Sequence, residues 1–178
     1  MRIVSGNHKG RKIKAPNNLP IRPTTDMSKE SIFNILSNSY EFNEVSVIDL
    51  FSGSGNISYE FASRGVKDII SVDNNINCIQ FIKKTSKELD INIIAIKSDV
   101  INFLKKTEKK SDIIFSDPPY SFNETYLNSM IELVFSENLI KQDGILIIEH
   151  SKEISLDLNQ YFHNKKRYGS CYFTFLKK

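Results

Sequence analysis

From about residue 45 onward, short and nearly continuous apolar runs alternate with stretches whose apolar residues recur at helical spacing. Residues 45–51 read as a buried strand, followed by the turn Ser52-Gly53-Ser54-Gly55 and a helix over about residues 56–64 that Gly65 closes. A second strand is predicted over residues 68–73. A helix then runs through Ile79, Phe81 and Ile82 to Leu89. A third strand follows over residues 91–96, a helical stretch over 100–106, and a fourth strand over 112–116 that ends in Asp117-Pro118-Pro119-Tyr120. A helix near residues 126–135 leads to a fifth strand at 145–149. Residues 160–178 alternate as strands do, most clearly at Tyr168 and over 172–176. Apolar strands separated by helices predict an α/β, doubly wound, mostly parallel sheet covered on both faces. Ligands of such sheets bind beyond the carboxyl ends of the strands, where strand order reverses. Each chemistry-bearing motif below falls at such an end.

The first 24 residues follow another rule. Apolar and basic residues alternate around Gly6 and Gly10, which reads as a small hairpin or extended arm, and Pro16, Pro20 and Pro23 keep the chain extended. We therefore expect an arm over residues 1–24 and one compact unit over 25–178. Asp26 is the expected N-cap of a helix through Ile32, Phe33, Ile35 and Leu36. The 178 residues suffice for one core. No apolar run approaches the ~18 residues of a membrane span, and no secretory leader is apparent. Cys78 and Cys171 fit neither a metal spacing nor a disulfide framework, so no metal and a cytoplasmic location are expected. A monomer is the default.

Charge sharpens the picture at the arm. Net charge is only +3, but residues 1–29 hold seven basic residues (Arg2, Lys9, Arg11, Lys12, Lys14, Arg22, Lys29) against Asp26 alone. That excess suggests a polyanionic partner met by the N-terminal end.

The loop after the first strand, Asp49-Leu50-Phe51-Ser52-Gly53-Ser54-Gly55, has glycines that let a ligand approach the main chain. Ser58 stands where the third glycine of a dinucleotide fingerprint would fall, and no Gly-Lys-Ser/Thr of a phosphate loop is present. The acidic Asp49 opposes a pyrophosphate but suits a cationic ligand. S-adenosylmethionine, with an ammonium and a sulfonium, is favoured over NAD. Asp73, ending the second strand, can accept hydrogen bonds from both ribose hydroxyls. Asp99 follows the third strand, where it can meet an adenine amino group. Phe51, Ser52, Gly53, Gly55, Asn74 and Val100 complete the expected cofactor lining.

Asp117-Pro118-Pro119-Tyr120 is the sharpest motif. An exocyclic amine of a nucleobase is a poor nucleophile because its lone pair is delocalised into the ring. Accepting hydrogen bonds from its two N–H groups rehybridises the nitrogen. Asp117 can supply one acceptor and the Pro118 carbonyl another, and proline brings no competing N–H. Tyr120 offers a face for base stacking, worth about 1–3 kcal/mol. Holding donor and acceptor in line contributes up to ~7–11 kcal/mol more.

The chain resembles the bacterial small-subunit rRNA guanine-N2 methyltransferases of the RsmD type, nearly end to end. The residues that carry the resemblance are Gly6 with Lys9-Gly10-Arg11-Lys12, Arg22-Pro23-Thr24-Thr25-Asp26, Glu30 with Phe33-Asn34, the 49–55 loop, the Asp117–Tyr120 motif, and Tyr168-Gly169. The loop and the Asp117 motif alone indicate only the wider class I amino-methyltransferases. The resemblance implies a sheet of about seven strands with a reversed last strand, and methylation of one guanine N2 in 16S rRNA on an assembled or partly assembled small subunit. It also implies that Asp73 holds ribose, Asp99 adenine, and Asp117 with Tyr120 the guanine. Residues 22–26 would then border the cofactor and target base, and Lys9, Arg11, Lys12, Arg22 and Thr24 would meet RNA. Two positions depart from the family pattern. Met27-Ser28 stands where a basic residue usually follows the T-T-D segment, which predicts a lost phosphate or helix contact. Asp73 replaces the commoner Glu, which predicts a shifted or looser ribose contact.

Three other readings remain open on sequence alone. An adenine-N6 methyltransferase could use the same motif, though no separate target-recognition domain is visible. A release-factor glutamine methyltransferase usually has Asn in place of Asp117. A non-catalytic RNA-binding protein of this fold need not have kept Asp49, Asp73 and Asp117, all of which are present. His8, His150 and His163 read as surface or packing residues, with His150 placed just after the fifth strand.

Overall fold

The computed structural model describes residues 1–16 and 25–178; Arg22 and Thr24 lie outside the described residues. Among these residues the elements run α1 (Asp26–Ser37), β1 (Ser46–Leu50), α2 (Asn56–Ser63), β2 (Asp68–Asp73), α3 (Ile76–Glu88), β3 (Ile94–Lys97), α4 (Val100–Lys106), β4 (Ser111–Ser116), α5 (Glu124–Ser136), β5 (Ile140–Ser151), β6 (Phe162–Tyr168) and β7 (Cys171–Leu176). The strands form one seven-stranded sheet in the order β3-β2-β1-β4-β5-β7-β6. β1 to β5 pair in parallel, and β7 runs antiparallel to both β5 and β6. This is the doubly wound sheet with a reversed last strand that the sequence predicts.

Alternation along each strand divides the core in two. Val47, Ile69, Ile113, Ile147 and Phe173 face a cluster with α1, α2 and α3. Ile48, Leu50, Ile70, Ile114 and Ile148 face a cluster with α4 and α5. Strand order reverses between β2 and β4, on either side of β1. The Asp117 N–H donates to the Leu50 carbonyl (3.3 Å) and so ties the ends of β4 and β1 together. Gly65 closes α2 at φ +110°: its N–H donates to Ala62 and that of Val66 to Phe61, the paired bonds of a Schellman turn.

Four details differ from the sequence expectations. β3 spans Ile94–Lys97 rather than 91–96, its extent set by pairing with Ile70–Asp73 of β2. Thr25, not Asp26, caps α1, its hydroxyl accepting the Ser28 N–H (3.1 Å). Asp26 occupies the first helical position and pairs with Arg2 at 2.9 Å. β5 begins at Ile140 rather than 145: residues 141–144 are carried in the strand through a register shift, with Asp143 at φ 62°. His150 lies within β5, buried, with Nε2 2.7 Å from the Thr174 hydroxyl.

The N-terminal segment is a minimal hairpin, with Arg2 bridged to Lys12 and Ile3 and Ile13 buried in the first core cluster. Glu60 of α2 anchors it by accepting the Val4 N–H (2.8 Å) and the Ser5 N–H (3.0 Å).

Candidate active site

A cleft of about 560 Å3 opens over the carboxyl ends of β1, β2 and β4, a size suited to a nucleoside-sized ligand. The structure brings together ten of the twelve residues expected to line the cofactor and reaction site. Asp49, Phe51, Ser52, Gly53, Asp73, Asn74, Asp99 and Val100 line one side, and Asp117 with Tyr120 the other. Gly55 and Pro118 do not line the cleft. Gly55 caps α2 at φ +81°, and a Cβ there would stand 2.8 Å from the Tyr59 ring and 2.9 Å from Ile82, so packing behind the loop demands the glycine. Pro118 is buried beneath the motif.

Strand alternation directs Asp49 towards α2, where it accepts the Ser58 hydroxyl proton at 2.5 Å, and Ser58 in turn lies 2.6 Å from the Ser71 hydroxyl. Burial pushes the Asp49 pKa up to about 7; the Ser58 bonds oppose this, and the nearby Asp117 and Asp73 charges add to it. Ser58, which excluded a dinucleotide loop, thus has a role of its own in satisfying a buried carboxyl.

Asp73 is held by main-chain donors at both oxygens, Gly53 N–H on Oδ2 and Asn75 N–H on Oδ1, each at 2.8 Å. These contacts fix a short carboxylate, and each oxygen keeps further acceptor capacity. Asp99 caps α4, its Oδ1 accepting the Asn102 N–H at 3.0 Å. Asp49, Asp73 and Asp99 thus set three acids into one cleft, a donor-poor and acceptor-rich lining that fits a cationic ligand bearing hydroxyl and amino donors. Among the described residues no group of three or more His, Cys, Asp or Glu side chains could hold a metal ion.

An aromatic cluster backs the cleft between the two groups of lining residues. Phe51, in the left-handed region at φ 58°, packs edge-on to Phe122 (5.7 Å), and Phe122 lies 4.2 Å from Tyr126. A non-glycine residue at such a φ is strained, as is common at ligand clamps. Tyr120 remains 44% exposed. Beyond it the cleft meets a second groove of about 470 Å3, bordered by Tyr120, Ser121, Phe122, Glu124, Ser151 and Glu153. Phe122 escaped the sequence reading, although an aromatic two residues past Tyr120 was the available signal.

Lys9, Arg11 and Lys12 are exposed on the hairpin. The hairpin also touches the 49–55 loop, where the Ser54 hydroxyl donates to the Met1 sulfur at 3.3 Å. Lys29, the next basic residue after Met27-Ser28, is buried. Its ammonium donates to the Arg2 carbonyl (2.5 Å) and to Asn56 Oδ1 (3.0 Å), and stands 3.7 Å from Glu60. Burial lowers its pKa, and Glu60 and Asp26 oppose the shift.

Strand order, reversed last strand and an acid-lined cleft at the switch point define a class I, S-adenosylmethionine-dependent type of methyltransferase fold. A hypothetical protein of Thermus thermophilus shares the fold at a TM-score of 0.87 and 22% identity, covering 100% of this chain and 99% of that one. A magnesium protoporphyrin IX methyltransferase of Synechocystis, solved with bound S-adenosylmethionine, shares it at 0.69 and 14% identity over 85% and 79% of the two chains. The family described as conserved hypothetical protein 95 matches residues 1–177. The ribosomal RNA small subunit methyltransferase D of Buchnera aphidicola (subspecies Baizongia pistaciae) is 34% identical over 156 residues, 87% of this chain and 78% of that protein. The chain belongs to this family, that of the small-subunit rRNA methyltransferases D.

Proposed function

We propose that this protein methylates the exocyclic N2 amine of one guanine in small-subunit (16S) rRNA, in the cytoplasm, on an assembled or partly assembled subunit. The reading rests on one observation above the others: Asp117 lines an acid-lined cleft that meets a second, open groove at Tyr120. Family membership supports rRNA as the substrate class, and the resemblance to guanine-N2 enzymes supports the base.

Asp49, Asp73, Asp99 and the 51–53 backbone would hold S-adenosylmethionine, which would supply an electrophilic methyl group and leave as the neutral thioether S-adenosylhomocysteine. Asp117 accepts one N–H of the target amine and the Pro118 carbonyl the other, which restores lone-pair character to the nitrogen. Tyr120 stacks on the base and holds it at the junction. Phe51 and Phe122 give the cleft an apolar surface, which strengthens hydrogen bonds made within it. Lys9, Arg11, Lys12, Arg22 and Thr24 hold the RNA backbone and contribute salt-dependent affinity.

The test is transfer from labelled S-adenosylmethionine to naked 16S rRNA and to small subunits from a strain lacking the enzyme, with nucleoside analysis. N2-methylguanosine at one site, made on subunits in preference to naked RNA, is the expected product. Label in N6-methyladenosine would overturn the guanine assignment while keeping the active site.

A further inference from the structure

The N-terminal arm does not carry all of the positive charge. Residues 158–178 hold Lys165, Lys166, Arg167, Lys177 and Lys178 and no acidic residue. Three of these five are consecutive on β6, the edge strand of the sheet.

The register places them near the groove. β5, β7 and β6 lie side by side, with His150 opposite Tyr172 and Tyr172 opposite Arg167. The next row aligns Ser151, Cys171 and Tyr168, and Ser151 borders the groove that contains Tyr120. Two strand spacings separate Arg167 from His150, about 10 Å. β6 runs in the same direction as β5, so Arg167 lies at the carboxyl edge of the sheet with the cleft.

The side chains are organised around one aromatic ring. The Lys165 ammonium lies 5.4 Å and the Arg167 guanidinium 5.9 Å from the centre of Tyr172, which stacks on His150. Asp157 pairs with Lys165 at 2.5 Å, and the Arg167 Nε–H donates to the Gly169 carbonyl at 3.1 Å. Lys166 and Arg167 are exposed. Lysines on an edge strand also deter strand-to-strand aggregation, but that role needs only charge of either sign. It does not account for two cations gathered over an aromatic ring beside a substrate groove.

We propose that the carboxyl half of β6, with Lys165 and Arg167 gathered over Tyr172 and Lys166 exposed between them, is a second RNA-backbone contact. It meets the phosphates flanking the target base on the groove side of Tyr120, whereas the N-terminal hairpin meets them elsewhere. This proposal rests on the rRNA reading above. Charge complementarity selects the partner, because the exposed Lys166 and Arg167 attract phosphates and would repel a basic protein surface.

The test compares wild type with the Lys166→Gln/Arg167→Gln and Lys166→Glu/Arg167→Glu double variants. The Glu pair keeps the edge charged, so loss of edge protection cannot imitate the effect. Binding to a 16S rRNA fragment is measured against salt, with S-adenosylmethionine affinity as the check on folding. The Gln pair should flatten the salt dependence by about two in log–log slope, about one for each cation. The Glu pair should raise the KM for RNA about tenfold or more, with cofactor affinity unchanged. An Arg167→Lys variant should retain most of the RNA affinity. Unchanged slope and KM in both double variants, with wild type active on rRNA, would overturn this inference alone. Loss confined to assembled subunits, with naked RNA binding intact, would overturn it in favour of a ribosomal-protein contact. A wild type that neither binds nor methylates rRNA would remove the functional reading and this inference together.

Discussion

The Lys29 ammonium and the Glu60 carboxylate stand 3.7 Å apart, with side chains 1% and 0% exposed. Around this pair three segments meet. Lys29 comes from α1, Glu60 from α2, and the hairpin contributes the Arg2 carbonyl and the Val4 and Ser5 N–H groups. Lys29 also bonds Asn56, a residue of the cleft wall, so the arm and the cleft share one buried polar cluster.

Lys29→Met should therefore be costly. Removing one partner of a buried pair typically destabilises by about 3–5 kcal/mol, because the remaining charge is left without compensation. Glu60 would keep Arg64 at 2.9 Å and two backbone donors, so the lower end of that range is expected. Urea unfolding measures it, and a loss below about 1 kcal/mol would show that the cluster does not need its lysine.

Gly6 has φ +81° and packs against the end of α2. A Cβ there would lie 1.9 Å from the Ser63 carbonyl oxygen, which also accepts the Asn7 N–H at 2.7 Å. Gly6→Ala should lift the hairpin and displace Lys9, Arg11 and Lys12 together. RNA affinity should fall and its log–log salt slope should drop by up to about three, one for each lost cation. A variant with wild-type salt dependence would mean that the hairpin does not meet phosphate.

Asp49 predicts a pH effect. Its folded pKa of about 7 lies above the unfolded value of about 3.9, so the folded state binds the extra proton between those values. The stability this contributes is fully present below about pH 4 and is lost as pH rises through about 7. It amounts to at most about 4 kcal/mol. Asp49→Asn should flatten the stability profile across that window. A cationic ligand favours the ionised form, so cofactor binding at pH 6 should release a proton and weaken on acidification. Calorimetry in two buffers of different ionisation enthalpy measures the release; zero release at pH 6 would contradict the assignment.

β2 and α4 match their sequence expectations residue for residue, because strong apolar patterning and a glycine or aspartate boundary act locally. The loop acids were readable for a related reason: in a doubly wound sheet, strand ends converge on one cleft whatever the helices contain. Long-range polar partners were not. Lys29 and Glu60 are paired only once α1 and α2 pack together, and no local period announces that. One signal was present all the same. Lys29 continues the buried stripe of Ile32, Phe33 and Leu36 at helical spacing, and a cation on an apolar face demands a partner. The β6 cations were hidden differently: counting charge only as arm and remainder let the acids of the middle mask a basic end. The cap of α1 was misread because Thr25 and Asp26 both suit the position, and the pull of Arg2 on Asp26 is a tertiary contact.

The most direct trial of the active site is single-turnover methyl transfer to small subunits by Asp117→Ala, with S-adenosylmethionine affinity measured on the same protein. Losing a positioned hydrogen-bonding group at the reacting atom typically costs about 10²–10³-fold in rate. We predict a fall of that size with cofactor affinity changed by no more than several-fold. Transfer within tenfold of wild type, at unchanged cofactor affinity, would contradict the placement of the target amine at Asp117.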